Sequence, residues 1–522
     1  MKDKAGAAPR LLILVLSLAI LSLVLSGCGS SSEEVTTYTI ADEIGDWGYP
    51  SPYTHYARGP GYVRMSFVFD TLVWKDETGF VPALAEEWEY VETENAYVFQ
   101  LRSSATWHDG EKFTAHDVAF TFDYCKEHPY QLVDSSIVKA AEAVNDHTVK
   151  LYLKDPYAPF LNDVAGTQPI LPEHIWESVQ EPETFTGPEA VVGTGPYKLV
   201  DYSREHGTYL YEAYDNYYLG RPKVDRIKFV KVVEQMVAAA LEQGTVDAAP
   251  MPPEVVEDIQ ARGFTVLQAP YGWNAKLMIN HTKEPLSSEQ FRQALAYAID
   301  REALVEITQR NQALAGSPGI MPPDSEWYNA DIETYEHDPA RSQQVLEELG
   351  YALENGYFTK DGKELRLELI AEATFKPEGQ FIKGELESIG IKVDFSTLEG
   401  KTVDAKVLDW QFDLSIYGHG GLYEPSILNK VITGQGFNSA RYQANETLNQ
   451  LLATQLTEMD YEERCDLVGQ IQAIYADELP ALTLYYPNWY WAHDGTIDLY
   501  YTSGGIGAGV PLPLNKMALV KQ

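Results

Sequence analysis

His419 stands among glycines in Tyr417-Gly418-His419-Gly420-Gly421. A neutral imidazole at such a place can ligate a metal or hydrogen-bond a solute. Glycines cover a neighbour poorly and let a ligand approach the backbone, so the ring is expected to be exposed. A second reactive stretch is Trp47-Gly48-Tyr49-Pro50-Ser51-Pro52-Tyr53-Thr54-His55-Tyr56-Ala57-Arg58. Tyr53 and the other aromatics offer stacking faces. His55 is the second candidate metal ligand, and Arg58 suits a carboxylate. Cys28 follows Leu25-Ser26-Gly27, the order of a lipobox, behind basic Lys2, Lys4 and Arg10 and an apolar run from Leu11 to Leu25. That run reads as a secretory signal core rather than a membrane span. Lipidation would make Cys28 the first mature residue, followed by the Ser-rich tether Gly29-Ser30-Ser31-Ser32.

Catalytic patterns are missing. There is no G-x-S-x-G nucleophile elbow, no H-E-x-x-H and no G-x-x-x-x-G-K-[ST]. Gly193-Thr194-Gly195 lacks the third glycine of a dinucleotide loop. His108 and His116 have no recognised metal spacing. The formal net charge of −38 argues against nucleic acid, which needs a basic footprint, and against electrostatic adhesion to anionic lipid. With 45% hydrophobic and 12% aromatic residues, the chain can bury a real core. Cys125 and Cys465, far apart in sequence, are expected to be buried free thiols.

The elements that must position these groups alternate between strand and helix, which predicts an α/β architecture. Tyr97, Phe99 and Leu101 alternate with Val98 and Gln100 as a strand, and Asp109-Gly110 marks a turn. Thr114 and Asp117 form a capping box ahead of a helix through Phe120 and Tyr124. Leu365, Leu367 and Leu369, a helix over 376–389, then Ile391, Val393 and Phe395 read as a βαβ unit. Ser287 and Gln290 cap a helix through Phe291 and Ala298. Asp338 and Pro339 open another that ends at Gly350.

Several motifs in order carry a resemblance. They include Phe69-Asp70-Thr71-Leu72-Val73-Trp74, Val81-Pro82-Ala83-Leu84-Ala85-Glu86-Glu87-Trp88, Tyr97-Val98-Phe99-Gln100-Leu101-Arg102 and Trp107-His108-Asp109-Gly110. Phe113-Thr114-Ala115-His116-Asp117-Val118 and Gly193-Thr194-Gly195-Pro196-Tyr197 follow, then Phe291-Arg292-Gln293-Ala294-Leu295-Ala296-Tyr297-Ala298-Ile299-Asp300-Arg301. The chain resembles the family 5 bacterial extracellular solute-binding proteins, which bind oligopeptides, dipeptides or nickel. The resemblance implies a two-lobed, periplasmic-binding-protein-like clamshell of class II type with an additional subdomain. Lobe I would gather 36–75, 187–277 and 487–522. The subdomain would span 76–186 and lobe II 278–486, behind a signal peptide at 1–27 and a tether at 28–35.

It further implies capture of a peptide or a nickel or other metal chelate between the lobes and delivery to ABC permease subunits driven by cytoplasmic ATPases. The protein would be an extracytoplasmic monomer, held to the membrane only through lipidated Cys28. No cofactor is expected, since a metal chelate would be cargo. In the family's peptide binders the loop at 417–425 carries an Asp four residues before the Pro, to pair with the peptide ammonium. Here that position is Gly421, and the nearest acid is Glu424. His419 and Tyr423 fall where the nickel-chelate binders place a Trp and a Tyr. Those binders also use a subdomain Arg, which has no counterpart near Gly166-Thr167-Gln168-Pro169. Trp107, His108 and Asp109 would shape a turn. Trp273 and Trp489, on the two crossings between lobes, would line the cleft. A ligand sensor uncoupled from import and a hydrolase on this scaffold are the alternatives.

Overall fold

Two mixed sheets, joined by two chain crossings, carry the two lobes. The computed structural model describes residues 35–507 and 509–520. The signal segment and Cys28 lie outside the described residues, and from Tyr38 onward the chain forms one compact unit. The first sheet runs in the order Thr265–Gln268, Tyr490–His493, Ala248–Met251, Thr37–Asp42, Arg226–Lys231, Thr208–Ala213, Tyr197–Ser203. The second runs Ala313–Ala315, Ala481–Pro487, Trp273–Ile279, Leu414–Gly420, Arg366–Glu372, Lys392–Leu398. The first crossing therefore falls between Gln268 and Trp273. Residues 273–277, grouped with the first lobe on sequence, belong to the second lobe's sheet.

The Trp273–Ile279 strand is buried along nearly its whole length. It pairs antiparallel with a strand on each side, so neither edge is free and both faces are covered. The expected βαβ unit is present: Arg366–Glu372 and Lys392–Leu398 pair in parallel, joined by the Lys376–Ser388 helix. Ile382 and Leu386 of that helix pack on Leu367 and Leu369. The Asp338 carboxylate accepts from Arg341 N at 2.9 Å, with Pro339 in the first turn. The Glu289–Ala298 helix starts one residue later than the sequence pattern indicates. Ser288 is its cap, accepting from Phe291 N at 3.3 Å.

A four-stranded antiparallel sheet, Ala85–Val91, Ala96–Leu101, Thr148–Leu153 and Val138–Asn145 in that order, forms the core of a subdomain. The Ala115–Glu127 helix packs over it, opened by the Thr114–Asp117 capping box. His108 ties this subdomain to the first lobe. Its Nε2 lies 2.9 Å from Gly195 O, and Lys198 Nζ donates to His108 O at 2.7 Å. Glycine is required at 193, where a Cβ would fall 2.0 Å from Val68 O. Cys125 and Cys465 are both unbonded. Cys125 is buried, but Cys465 is only partly covered, on the surface of the Tyr461–Glu478 helix. Among the described residues no helix is long and apolar enough to cross a membrane.

Candidate functional site

Between the lobes lies a cleft of about 1720 Å³. One wall comes from residues 46–49, 53–60 and Tyr202, the other from Trp273, Glu372, 399–401, Asp404, 416–421 and the Phe437-Asn438 pair. The lining leans acidic, with Asp46, Glu183, Glu372, Glu399 and Asp404 against Arg58, Arg204 and Lys401. Of these acids, Asp46 accepts from Tyr202 Oη at 2.6 Å, and Asp404 accepts from Tyr417 Oη.

His419 lines this cleft but is not exposed. Its residue accessibility is 3% and neither ring nitrogen has a partner. The glycines around it do not leave space. Gly418 admits the Trp273 ring on one face of the strand, while His419 is buried on the opposite face, which it shares with Asn274. A Cβ at Gly418 would lie 2.0 Å from Trp273 Cζ2, so the indole sits on the bare backbone there. Burial, with a smaller contribution from the Lys276 charge, holds the His419 imidazole neutral, well below its ordinary value.

Tyr423 is also displaced from its expected place. It is absent from the cleft lining, and its hydroxyl donates to Pro270 O at 3.2 Å. Its ring fills the space that a side chain at Gly272 would need, 2.3 Å from the hydroxyl. Gly421 does line the cleft, at φ +83°. A Cβ on Gly509 of the facing lobe would come within 3.0 Å of Gly421 Cα, so two backbones meet where a longer residue would project. Glu424 points away from the cleft and pairs with Arg464.

In the 47–58 segment, His55 is committed on both sides of its ring. Nδ1 lies 2.9 Å from Tyr56 O and Nε2 3.0 Å from Tyr130 Oη. A metal would have to displace one of these bonds, and burial lowers the imidazole to about 4. His55 and His419 therefore do not form a ready ligand pair. Tyr53 borders the cleft, but its hydroxyl turns inward and donates to His128 O at 2.7 Å. Arg58 is exposed at the cleft wall, with its guanidinium 5.9 Å from the Tyr56 ring centre. Trp273 and Trp489 both line the cleft.

Sequence reading missed Lys276. It is 2% exposed, in the strand beside His419, and donates to Asn438 O at 2.5 Å. The signal was present: a lone lysine at the centre of Trp273-Asn274-Ala275-Lys276-Leu277-Met278-Ile279. Among the described residues no group of three His, Cys, Asp or Glu side chains gathers to hold a metal ion.

Residues 79–427 match the family described as "Bacterial extracellular solute-binding proteins, family 5 Middle". The chain is 26% identical over 442 residues to the dipeptide-binding protein of Escherichia coli (strain K12), covering 78% of this chain and 81% of that one. Its fold is similar to the crystal structure of NikZ from Campylobacter jejuni in complex with Ni(L-His), with a TM-score of 0.77, 24% identity, and coverage of 90% of this chain and 97% of that one. It is also similar to the mannohexaose-bound oligopeptide-binding protein of Thermotoga maritima, with a TM-score of 0.73, 25% identity, and coverage of 94% and 97%. With its two-lobed fold and interlobe cleft, the chain belongs to the family 5 bacterial extracellular solute-binding proteins, and it is a binding protein rather than an enzyme.

Proposed function

We propose that this protein is the solute-capturing component of an ABC importer, tethered outside the cell membrane through lipidated Cys28. It would pass its cargo to permease subunits powered by cytoplasmic ATPases. The observation that carries this reading is the cleft of about 1720 Å³ lined from both lobes. Such a site encloses a ligand by hinge closure. Its volume exceeds the roughly 300–1,000 Å³ of ordinary small-molecule pockets, which favours an extended solute such as a short peptide. The E. coli relative, a dipeptide-binding protein, supports the same class.

A metal chelate is the second reading, and Gly421 is the observation that favours it. No acid projects there to pair with a peptide ammonium, and a buried ammonium without an anion is costly. A metal cargo would bring its own organic ligands. Native mass spectrometry on protein purified without refolding, with elemental analysis of the same sample, decides between them. A ladder of peptide masses supports the first reading. Stoichiometric metal with a small organic mass supports the second. A protein that carries neither, and takes up neither, ends both.

A further inference from the structure

On one face of the second lobe's sheet, three buried polar side chains converge without the partners their burial demands. Asn274 and His419 are directly opposed in register on the antiparallel strands Trp273–Ile279 and Leu414–Gly420, and Lys276 is opposed to Tyr417. Directly opposed residues of an antiparallel pair share a face, with Cβ atoms roughly 5 Å apart. Lys276 lies two residues along the same face from Asn274, about 7 Å away by strand rise. Asn274 is 0% exposed, Lys276 2% and His419 3%. Both amide atoms of Asn274 and both ring nitrogens of His419 are unpartnered. Lys276 spends one donor on Asn438 O and has no carboxylate acting on it.

Buried polar groups are normally satisfied, and each orphan costs about 1–3 kcal/mol. Two orphaned donors, the Asn274 amide and one His419 ring N–H, beside an unpaired lysine need an acceptor. Tyr417, His419 and Asn438 line the interlobe cleft, and Asn274 and Lys276 lie buried behind them on the neighbouring strand, with Lys276 bonded to Asn438 O. The available donors are the two remaining ammonium N–H groups, the Asn274 amide and the neutral imidazole N–H. Burial lowers the Lys276 amine to about 7, and a single monoanion beside it would favour its charged form among otherwise neutral donors. A phosphate dianion would leave a second charge buried and unpaired.

We propose that this buried group at the edge of the cleft is an anion subsite that receives a carboxylate of the cargo, with Lys276, Asn274 and His419 as its donors. The assignment rests on the solute-capture reading for its occupant and on the strand register for its geometry. It also accounts for a lysine placed where an apolar residue would be cheaper. An uncompensated buried amine lowers stability and is retained when binding needs it.

The test uses sodium formate, the smallest carboxylate, on the intact folded protein. Side-chain 15N resonances of Asn274 and His419 are followed across the millimolar range, with sodium chloride at equal ionic strength as the control. Saturable shifts with formate and not with chloride are expected. Lys276→Met should weaken formate by about tenfold or more, the value of a charge-assisted hydrogen bond. It should leave the melting temperature unchanged or higher, because it removes the buried amine. Loss of folding stability in Lys276→Met, with formate affinity unchanged in Asn274→Leu, would mean a structural lysine and overturn the proposal. Absence of a saturable formate shift overturns it outright, and so does a cargo whose free-acid and amide forms bind alike. Formate binding in a protein that retains no solute upholds the anion site and removes the transport reading instead.

Discussion

Trp273 and Trp489 stand on the two crossings between the lobes with their ring centroids 5.7 Å apart and their planes inclined by 38°. Trp273 begins a strand of the second lobe, and Trp489 directly precedes one of the first. Trp489 is 38% exposed and borders both the interlobe cleft and a second cavity of about 790 Å³. Hinge motion is absorbed by a few residues at element ends, and these two aromatics occupy such positions. Their contact therefore reads out lobe position, besides giving the cleft a stacking surface.

The first prediction concerns that contact. Cargo binding should change the tryptophan emission of the wild-type protein, and Trp489→Phe should abolish most of the change. An aromatic pair contributes about 0.5–1.5 kcal/mol beyond its buried area, so affinity should fall by no more than about tenfold. A fluorescence titration of both proteins measures each quantity. An undiminished emission change in Trp489→Phe would place the reporter elsewhere.

Gly418→Ala tests whether glycine serves packing here. The new methyl would meet the Trp273 ring at 2.0 Å. The indole must move, or the strand must shift, at a cost of about 1–3 kcal/mol typical of overpacking. Denaturant unfolding should report that loss. Cargo affinity should fall with it, because Trp273 is displaced from the cleft wall.

The fold was legible where local chemistry and tertiary demand agree. The Thr114–Asp117 and Asp338–Pro339 caps and the βαβ unit at 366–398 are written in neighbouring residues. The site was less legible because its decisive facts are non-local. The glycine at 418 suggests openness on paper, yet it admits the Trp273 ring from a distant segment. His55 reads as a free ligand until Tyr130, 75 residues on, takes its Nε2. The commitment of Glu424 to Arg464, 40 residues away, is equally invisible in sequence. Lys276 was the exception: an unexplained charge in an apolar strand is visible in one dimension.

The buried histidines predict a pH dependence. Burial holds His55 and His108 at about 4, against an ordinary 6.5. Between those values the unfolded chain binds more protons than the folded one. Stability is therefore fully present above pH 6.5 and is lost as pH falls toward 4, by up to about 1.4 kcal/mol per pH unit for each histidine. Calorimetric melting temperatures should drop across that window. His108→Gln, with an amide able to replace the bond to Gly195 O, should flatten the slope. An unchanged slope would assign the acid sensitivity to other groups.

Glu424 and Arg464 give the largest stability prediction. The pair is mostly buried, with side chains 18% and 7% exposed. The same guanidinium holds Gln455 through its side chain and backbone oxygens, at 3.2 and 2.9 Å from Nε. Burial, with Asp163 nearby, pushes the Glu424 carboxyl above its usual range even though Arg464 opposes the shift. Removing only one member strands a charge in a poorly solvated place, at a cost of about 3–5 kcal/mol. Arg464→Met alone should thus unfold at markedly lower denaturant, and Glu424→Gln should lose somewhat less because its amide can still accept from Arg464. The double variant should recover much of the loss, since no unpaired charge remains. Cargo affinity should hold in every variant that folds, because Glu424 does not line the cleft. A selective affinity loss in Glu424→Gln at unchanged stability would return this carboxylate to the binding site.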